Sequence, residues 1–215
     1  MARSALCLLL LLLPVFHLLA LSLLFNQAQA SALPLDDNHL NPDSSFIRSA
    51  CRATLYPALC VRTLSAYTAS VGRNDLRLSQ AALLVSLSRA RSTTSFVARL
   101  VHARGISVRE FRAVKDCIEN MGDSVDGLTR SVSELAHLGK RVDGSASTGF
   151  TWHMSNVQTW VSAALTDENT CMDGFGGRVM DGNIKVTVRR RVVHLARVTS
   201  NALALVNRFA SRHRA

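Results

Sequence analysis

The sequence lacks the local motifs by which common enzyme active sites are recognised. It has no Gly-x-Ser-x-Gly elbow, no His-Glu-x-x-His zinc helix, and no phosphate-binding or dinucleotide-binding glycine loop. The glycine-rich segment at 174–177 has neither a lysine nor a flanking strand, so we interpret it as a turn. The histidines lie singly along the chain. The sequence therefore predicts a protein that is not an enzyme, with no catalytic residue, no metal site and no cofactor.

Acidic residues are also scarce, since the chain has 15 Asp and Glu against 25 Lys and Arg, a formal net charge of +10. A basic protein is attracted to polyanions such as acidic polysaccharide, nucleic acid or an anionic membrane. The run Arg189–Arg191 fans around its helix without making one patch, and no aromatic residues alternate with it for base stacking. The pattern predicts no nucleic-acid partner and allows weak contact with an acidic polysaccharide.

Carboxylates occur as two close pairs, Asp123 with Asp126 and Asp167 with Glu168. Adjacent residues on a helix diverge by about 100°, so Asp167 and Glu168 cannot readily share a proton in a cleft. We interpret both pairs as parts of solvated helix faces.

The first thirty residues have the pattern of a signal peptide. Arg3 precedes an almost wholly apolar run from Leu6 to Leu24, and Ala28-Gln29-Ala30 provides small residues for cleavage. The apolar run could span a bilayer, so a retained anchor is the alternative. We expect cleavage after Ala30, a loose arm over 31–43, and one domain over 44–213, with no membrane contact after cleavage.

Four cysteines remain after residue 30, namely Cys51, Cys60, Cys117 and Cys171. An even number in a secreted chain predicts two disulfides. Four cysteines allow three connectivities, of which pairing between sequence neighbours is the simplest, and buried free thiols are the alternative.

No segment has the alternating pattern of a strand, and helical periodicity runs through the chain. The predicted helices cover about 44–55, a second short segment from Pro57, 75–104, 107–139, 152 or 155 to 172, and 184–211. Gly139 ends the predicted helix over 107–139, and a Gly- and Ser-rich loop to Gly149 connects it to the helix that starts at 152 or 155. The sequence predicts an all-α fold, an up-and-down four-helix bundle with an N-terminal helical hairpin.

The helix before Cys171 has a strip of short polar residues beside its apolar face, unlike the Lys- and Arg-rich surface elsewhere. It is either a plain small-residue face or a recognition surface for a partner. Its members are Asn156, Gln158, Thr159, Ser162, Thr166, Asp167 and Thr170.

Three sequence segments resemble the plant invertase and pectin methylesterase inhibitor family. They are Phe46-Ile47-Arg48-Ser49-Ala50-Cys51 with Cys60 nine residues on, Ala113-Val114-Lys115-Asp116-Cys117, and Val161-Ser162-Ala163-Ala164-Leu165-Thr166-Asp167-Glu168-Asn169-Thr170-Cys171. The resemblance implies a four-helix bundle with an N-terminal hairpin, disulfides pairing Cys51 with Cys60 and Cys117 with Cys171, and inhibition of a cell-wall enzyme.

Within the family, the segment between the third and fourth cysteines distinguishes the branches. Invertase inhibitors carry a Pro-Lys-Phe element there, whereas this chain has no proline in that segment. The run Trp160-Val161-Ser162-Ala163-Ala164-Leu165-Thr166-Asp167 is similar to the pectin methylesterase inhibitors and to the pro-regions of pectin methylesterases.

The resemblance therefore implies a secreted apoplastic protein that covers the pectin-binding cleft of a pectin methylesterase in a one-to-one complex and regulates homogalacturonan de-esterification in the cell wall. Inhibition of an acid invertase, or pectin binding without an enzyme target, are the alternatives. The expected interface comprises Asn156, Thr159, Ser162, Thr166, Asp167 and Thr170.

Overall fold

A computed structural model describes residues 42–140, 147–176 and 182–213, and all of their regular structure is helical. The predicted signal peptide lies outside the described residues, as does all but the end of the predicted arm. Part of the predicted loop before Gly149 lies outside them too. None of the helices in the described ranges is long and apolar enough to cross a membrane.

The N-terminal part is a hairpin of short helices, α1 (Pro42–Cys51) and α2 (Pro57–Leu64), followed by a 3-10 turn at Ser65–Tyr67 and a single turn, α3 (Thr68–Val71). Pro57 occupies the first turn of α2, where its missing N–H removes no helical hydrogen bond. The disulfide between Cys51 and Cys60 joins the two arms across a Cα–Cα distance of 5.6 Å.

Four long helices follow: α4 (Asp75–Arg99), α5 (Val108–Lys140), α6 (Ser147–Asp173) and α7 (Asn183–Arg212). They run up and down. Cys117 pairs with Cys171 at one end of α5 and α6, and Glu134 contacts His153 at the other, so these helices are antiparallel. Helix α7 closes the bundle between α6 and α4. The predicted four-helix bundle with an N-terminal hairpin is confirmed.

Helix ends follow the capping residues more closely than the apolar pattern. The Asn74 side chain accepts a hydrogen bond from the Arg77 N–H at the start of α4. Ser107 and Glu110 form a capping box, in which the Ser107 N–H and hydroxyl donate to the Glu110 carboxylate. Gly105, between these helices, has φ of 74°, which favours glycine.

Three predicted boundaries were wrong. Helix α1 begins at Pro42 and ends at Cys51 rather than Leu55, because the chain turns there and the Thr54 N–H and hydroxyl both donate to the Cys51 carbonyl. Helix α4 ends at Arg99 and tightens into a 3-10 turn. Helix α6 begins at Ser147 rather than at 152 or 155, and Phe150 in its first turn belongs to its apolar face, with its ring 5.7 Å from that of Phe209.

The hairpin is fixed to α7 by one buried side chain. The Asn201 amide accepts from the Tyr56 N–H and donates to the Tyr56 carbonyl, both at 3.0 Å. One asparagine thus binds both backbone groups of Tyr56 at the bend between α1 and α2, and the Tyr56 carbonyl also accepts from the Cys60 N–H at 2.9 Å. The hairpin therefore packs on the bundle of its own chain.

Candidate partner-binding face

The outer surface of α5 and α6 is held in place by unusually close packing between these helices. A Cβ on Gly127 would lie 3.0 Å from the Trp160 carbonyl oxygen, so the glycine lets the two backbones approach. The Cys117–Cys171 disulfide fixes the other end with a Cα–Cα distance of 4.3 Å. This pair of helices is a preorganised platform rather than a loop that must order on binding.

The structure places most of the predicted interface residues on one exposed side of α6. Thr159, Ser162, Thr166 and Thr170 are all exposed and follow one another at helical spacing. Thr170 is exposed although it precedes the buried Cys171.

The remaining strip residues lie at the edges of this side. Asn156 and Asp167 are half-buried. Gln158 turns toward α7, where its side-chain amide donates to the Asn207 side-chain oxygen at 2.8 Å. We use "the α6 face" for Thr159, Ser162, Thr166 and Thr170 together with Asn156 and Asp167 at its margin.

Trp152 belongs to the same side and was not among the residues predicted from the sequence. Its side chain is 62% exposed, a larger fraction than for any other Phe, Tyr or Trp that the structure describes. It precedes Thr159 and Thr166 at steps of seven residues, so it stands about 10 Å beyond Thr159 along the helix. That heptad spacing was the available signal. A tryptophan on an otherwise small-residue face is the type of residue that anchors protein interfaces.

Two hydroxyl groups of the α6 face donate their hydrogens within the helix. The Thr166 hydroxyl donates to the Ser162 carbonyl at 3.1 Å, and the Thr170 hydroxyl donates to the Thr166 carbonyl at 2.9 Å. Their oxygens remain able to accept hydrogen bonds. The face therefore offers acceptors to a partner that supplies donors.

Charge on this side of the molecule is negative, although the chain as a whole is basic. No Lys or Arg occurs in α6, and α5 carries Asp116, Glu119, Asp123 and Asp126 on exposed positions without an intervening basic residue. Partial burial and the nearby charge of Asp123 raise the pKa of Asp167 above its ordinary value. A partner surface rich in Lys and Arg would complement this side.

Glu168 corrects the interpretation of the second carboxylate pair as solvated. Its side chain is fully buried, and one carboxyl oxygen accepts from the Ser124 hydroxyl at 3.0 Å and the Thr199 hydroxyl at 2.9 Å. The other oxygen has no hydrogen-bond partner in the part of the chain that the structure describes. Burial raises the pKa of Glu168 to about 8, while the two hydroxyl donors act in the opposite direction. This group belongs to the bundle interior, not to the exposed face.

Within residues 42–140, 147–176 and 182–213, no three His, Cys, Asp or Glu side chains come together as a possible metal site. What the α6 face can do chemically is bind by shape, hydrogen bonding and charge.

Comparison with known proteins gives consistent matches. A sequence model described as "Plant invertase/pectin methylesterase inhibitor" matches residues 45–205. Pectinesterase inhibitor 9 of Arabidopsis thaliana is 52% identical over 92% of this chain and 94% of its own length. The 21 kDa protein of Daucus carota is 49% identical over 80% of this chain and 88% of its own length.

A solved structure shows the same fold. The crystal structure of a mutant form of a pectin methylesterase inhibitor from Arabidopsis superposes with a TM-score of 0.58 at 20% identity, covering 78% of this chain and 97% of that one.

Proposed function

The chain belongs to the plant invertase/pectin methylesterase inhibitor family, and from this membership we propose that it inhibits a pectin methylesterase. It does so in a one-to-one complex, in which the α6 face covers the cleft where the enzyme binds pectin. The relative that is 52% identical over most of the chain is named a pectinesterase inhibitor. No bond is made or broken by the inhibitor, because access of the polysaccharide is blocked sterically.

The observation that carries this mechanism is the combination of exposure and rigidity on α6. Four short hydroxyl side chains and Trp152 form a surface roughly 27 Å long, estimated from the helical rise between residues 152 and 170. The close contact at Gly127 and the disulfide at Cys171 hold this surface still. Little conformational entropy is lost when such a face binds, so small side chains can support a tight complex.

The first test titrates the disulfide-intact protein, without residues 1–30, against a plant pectin methylesterase and, in parallel, a plant acid invertase. We expect stoichiometric loss of acid release from pectin and unchanged sucrose cleavage. Loss of invertase activity alone would instead assign the chain to the other branch. Loss of neither activity would contradict the proposal for the enzymes used.

Ser162→Arg tests whether the α6 face is the interface. A long cation placed at its centre should weaken inhibition by roughly tenfold or more, because the close contact and the charge match are both lost. Trp152→Ala should weaken inhibition by a similar factor if the ring is an anchor.

The matched control is Ser88→Arg, an exposed serine within α4. It adds the same charge to a different helix and should leave the inhibition constant within about twofold. Equal effects of the two arginine variants would place the interface elsewhere on the bundle.

We also propose that the protein acts outside the cell, in the cell wall. This rests on the signal-peptide pattern of residues 1–30 and on the substrate of the proposed target. The check is the N-terminal sequence of the exported protein, which should begin near Ser31.

A further inference from the structure

Two neighbouring clefts lie along α7, on a surface that shares no residue with the α6 face. The larger, of about 870 Å³, is bounded by the bend at Leu55–Leu59, by α2 and by α7. The smaller, of about 300 Å³, lies between α4 and α7. Arg190 and His194 line both, so the clefts adjoin one another.

Guanidinium groups dominate the polar lining of the larger cleft. Arg62, Arg189, Arg190 and Arg197 line it, and all four are exposed. Among the residues that the structure describes, no Asp or Glu lines either cleft. The ion pairs that arginines make within the described ranges involve Arg208 and Arg212, which bind Asp75 away from this surface.

The cleft corrects the interpretation of the run Arg189–Arg191 as fanning around its helix without making a patch. Arg189 and Arg190 both line the larger cleft, and Arg191 lines the smaller one. Arg62 on α2 and Arg89 on α4 extend the basic lining from either side. The periodicity of α7 alone could not predict this patch, because its arginines come from three helices.

Apolar groups separate these cations. The ring of Tyr56 and the side chain of Leu59 form part of the larger cleft, and the Arg197 guanidinium lies 5.3 Å from the centre of the Tyr56 ring. At its margin Leu55 is 71% exposed and Val186 is 56% exposed. A ligand in this cleft meets apolar surface and guanidinium groups side by side.

The walls of the cleft are fixed in advance. The Asn201 amide holds both backbone groups of Tyr56, and the Cys51–Cys60 disulfide fixes the bend from the other side. A site whose walls do not have to be ordered on binding retains more of its interaction energy as affinity.

We propose that this basic cleft binds de-esterified galacturonate chains, the acidic form of the polysaccharide on which the proposed target enzyme acts. This rests on the proposed function for the identity of the polyanion. Carboxylates of successive sugars pair with the guanidinium groups, which suit planar two-oxygen contacts. The less polar faces of the sugar rings lie on Tyr56, Leu55 and Val186.

The spacing of the charges favours a chain over a single small anion. Arg189 and Arg197 are eight residues apart on α7, about 12 Å along its axis. Carboxylates of different sugars in one linear chain can pair with the two separately, whereas a single small anion would have to draw both side chains together. A cleft is also a poor match to a lipid surface, which is engaged by convex or flat apolar faces.

The test measures binding of a purified, fully de-esterified galacturonate oligomer by calorimetry, in the absence of any enzyme. The site variant combines Arg189→Gln, Arg190→Gln and Arg197→Gln. The matched control combines Arg77→Gln, Arg112→Gln and Arg130→Gln, three exposed arginines outside both clefts. Both variants have the same net charge, and both should keep the fold because all six side chains are exposed.

We expect the site variant to lose at least roughly tenfold in affinity and the control less than about threefold. Leu55→Ser should also weaken binding, with no change in charge. The fully methyl-esterified oligomer should not bind. Equal losses in the two triple variants, or binding of the wild-type chain to phosphatidylserine vesicles but not to the oligomer, would overturn the proposal.

Complex formation with pectin methylesterase, followed by analytical ultracentrifugation without polysaccharide, separates this proposal from the proposed function. The site variant should still form that complex. Failure of the wild-type chain to bind the enzyme would contradict the inhibitor role and leave the measured oligomer affinity as it stands.

Discussion

Among single residues, Glu168 has the largest consequence for how the bundle responds to pH. Its carboxyl is fully buried, with two hydroxyl donors on one oxygen and none among the described residues on the other. With a folded-state pKa of about 8 against an ordinary value of 4.5, it is neutral in the folded protein at acidic pH. The unfolded chain ionises it at much lower pH.

The direction of the pH effect follows from linkage. Below about pH 4.5 the group is protonated in both states, so its titration does not change the free energy of unfolding. As the pH rises toward 8 the unfolded state gains the stable ionised form, so the free energy of unfolding falls by up to about 1.4 kcal/mol per pH unit. Above about pH 8 both states are ionised and the loss levels off.

Glu168→Gln removes this titration while keeping an oxygen that can accept from Ser124 and Thr199. We expect the wild-type melting temperature to fall from about pH 5 to about pH 8, and that of the variant to fall much less. Glu119→Gln, at an exposed position on α5, controls for the change in net charge and should follow the wild-type profile. Parallel profiles for wild type and Glu168→Gln would show that the carboxyl is already ionised in the folded state.

Asp75 acts in the opposite direction at the acidic end. Burial raises the pKa of its carboxyl, but hydrogen bonds and charge from Arg208 and Arg212 outweigh this and hold the pKa below its ordinary value. Its contribution to the free energy of unfolding is therefore present above about pH 4 and is lost as the pH falls through the lowered pKa. Together the two groups favour maximal stability in mildly acidic solution.

The burial of Glu168 could not be inferred from the sequence, for a physical reason. Its donors lie 44 and 31 residues away in the chain, on α5 and α7. Sequence spacing reports which side chains share one helix face, but not which polar groups a neighbouring helix places opposite them. The same limit applied to Asn201, whose partner Tyr56 is on another element.

For whole elements, α5 shows how far a periodic pattern can be taken. Apolar residues at alternating steps of three and four, from Phe111 to Leu135, form a stripe that predicts this helix, and Ser107 with Glu110 predicts its start; the structure has both. Half of the stripe is fully buried at steps of seven, as Val114, Met121, Leu128 and Leu135. The alternate members Ile118, Val125 and Val132 are only half-buried, whereas the buried Ser124 faces α6, where its hydroxyl donates to Glu168.

Two glycines on α5 provide a test of that close packing. A Cβ on Gly127 would meet the Trp160 backbone oxygen at 3.0 Å, whereas one on Gly122 would meet nothing within 4 Å. Gly122→Ala should stabilise the protein by up to about 1 kcal/mol through helix propensity. Gly127→Ala gains the same propensity but forces the helices apart, so it should be less stable than Gly122→Ala by about 1 to 3 kcal/mol.

Denaturant unfolding of the two variants measures that difference directly. Equal stabilities would show that α6 shifts at no cost, and would remove the argument that the α6 face is rigid. A large loss for Gly127→Ala should be accompanied by weaker inhibition, since Trp160 belongs to the same helix as Ser162.

For the molecule as a whole, charge is divided between helices. Helix α6 has no Lys or Arg, while α7 has no Asp or Glu and carries the arginines of the basic cleft. The net charge of +10 conceals this division. An enzyme at the α6 face and a polyuronate at the basic cleft would therefore not compete for the same side chains.

The attachment of the hairpin to the bundle depends on Asn201. Asn201→Ala removes the acceptor of the Tyr56 N–H, while the Tyr56 carbonyl keeps the Cys60 N–H, so we expect a loss of about 1 to 3 kcal/mol and faster hydrogen exchange in α2. The amides of α5 and α6 should remain protected, because the bundle retains its own core. Galacturonate binding should weaken as well, since the bend forms a wall of the cleft.

Asn207→Ala is the control for this variant. Asn207 is an exposed asparagine on the same helix, and it accepts a hydrogen bond from Gln158 across to α6. Its removal should leave exchange in α2 unchanged. Uniform acceleration of exchange throughout the protein after Asn201→Ala would mean that hairpin and bundle unfold as one unit.

The contact between Tyr56 and Asn201 also sets the order in which the chain can fold during synthesis. The two residues are 145 positions apart, so at ribosomal rates roughly seven to thirty seconds separate their appearance. The disulfide of the hairpin spans only nine residues and can close well before that. The hairpin is thus completed first and docked last, and the buried side chains Ile47, Leu59 and Leu64 lack the complete bundle surface until α7 has been synthesised. A nascent chain that stops short of α7 is accordingly the form of this protein that most requires a chaperone.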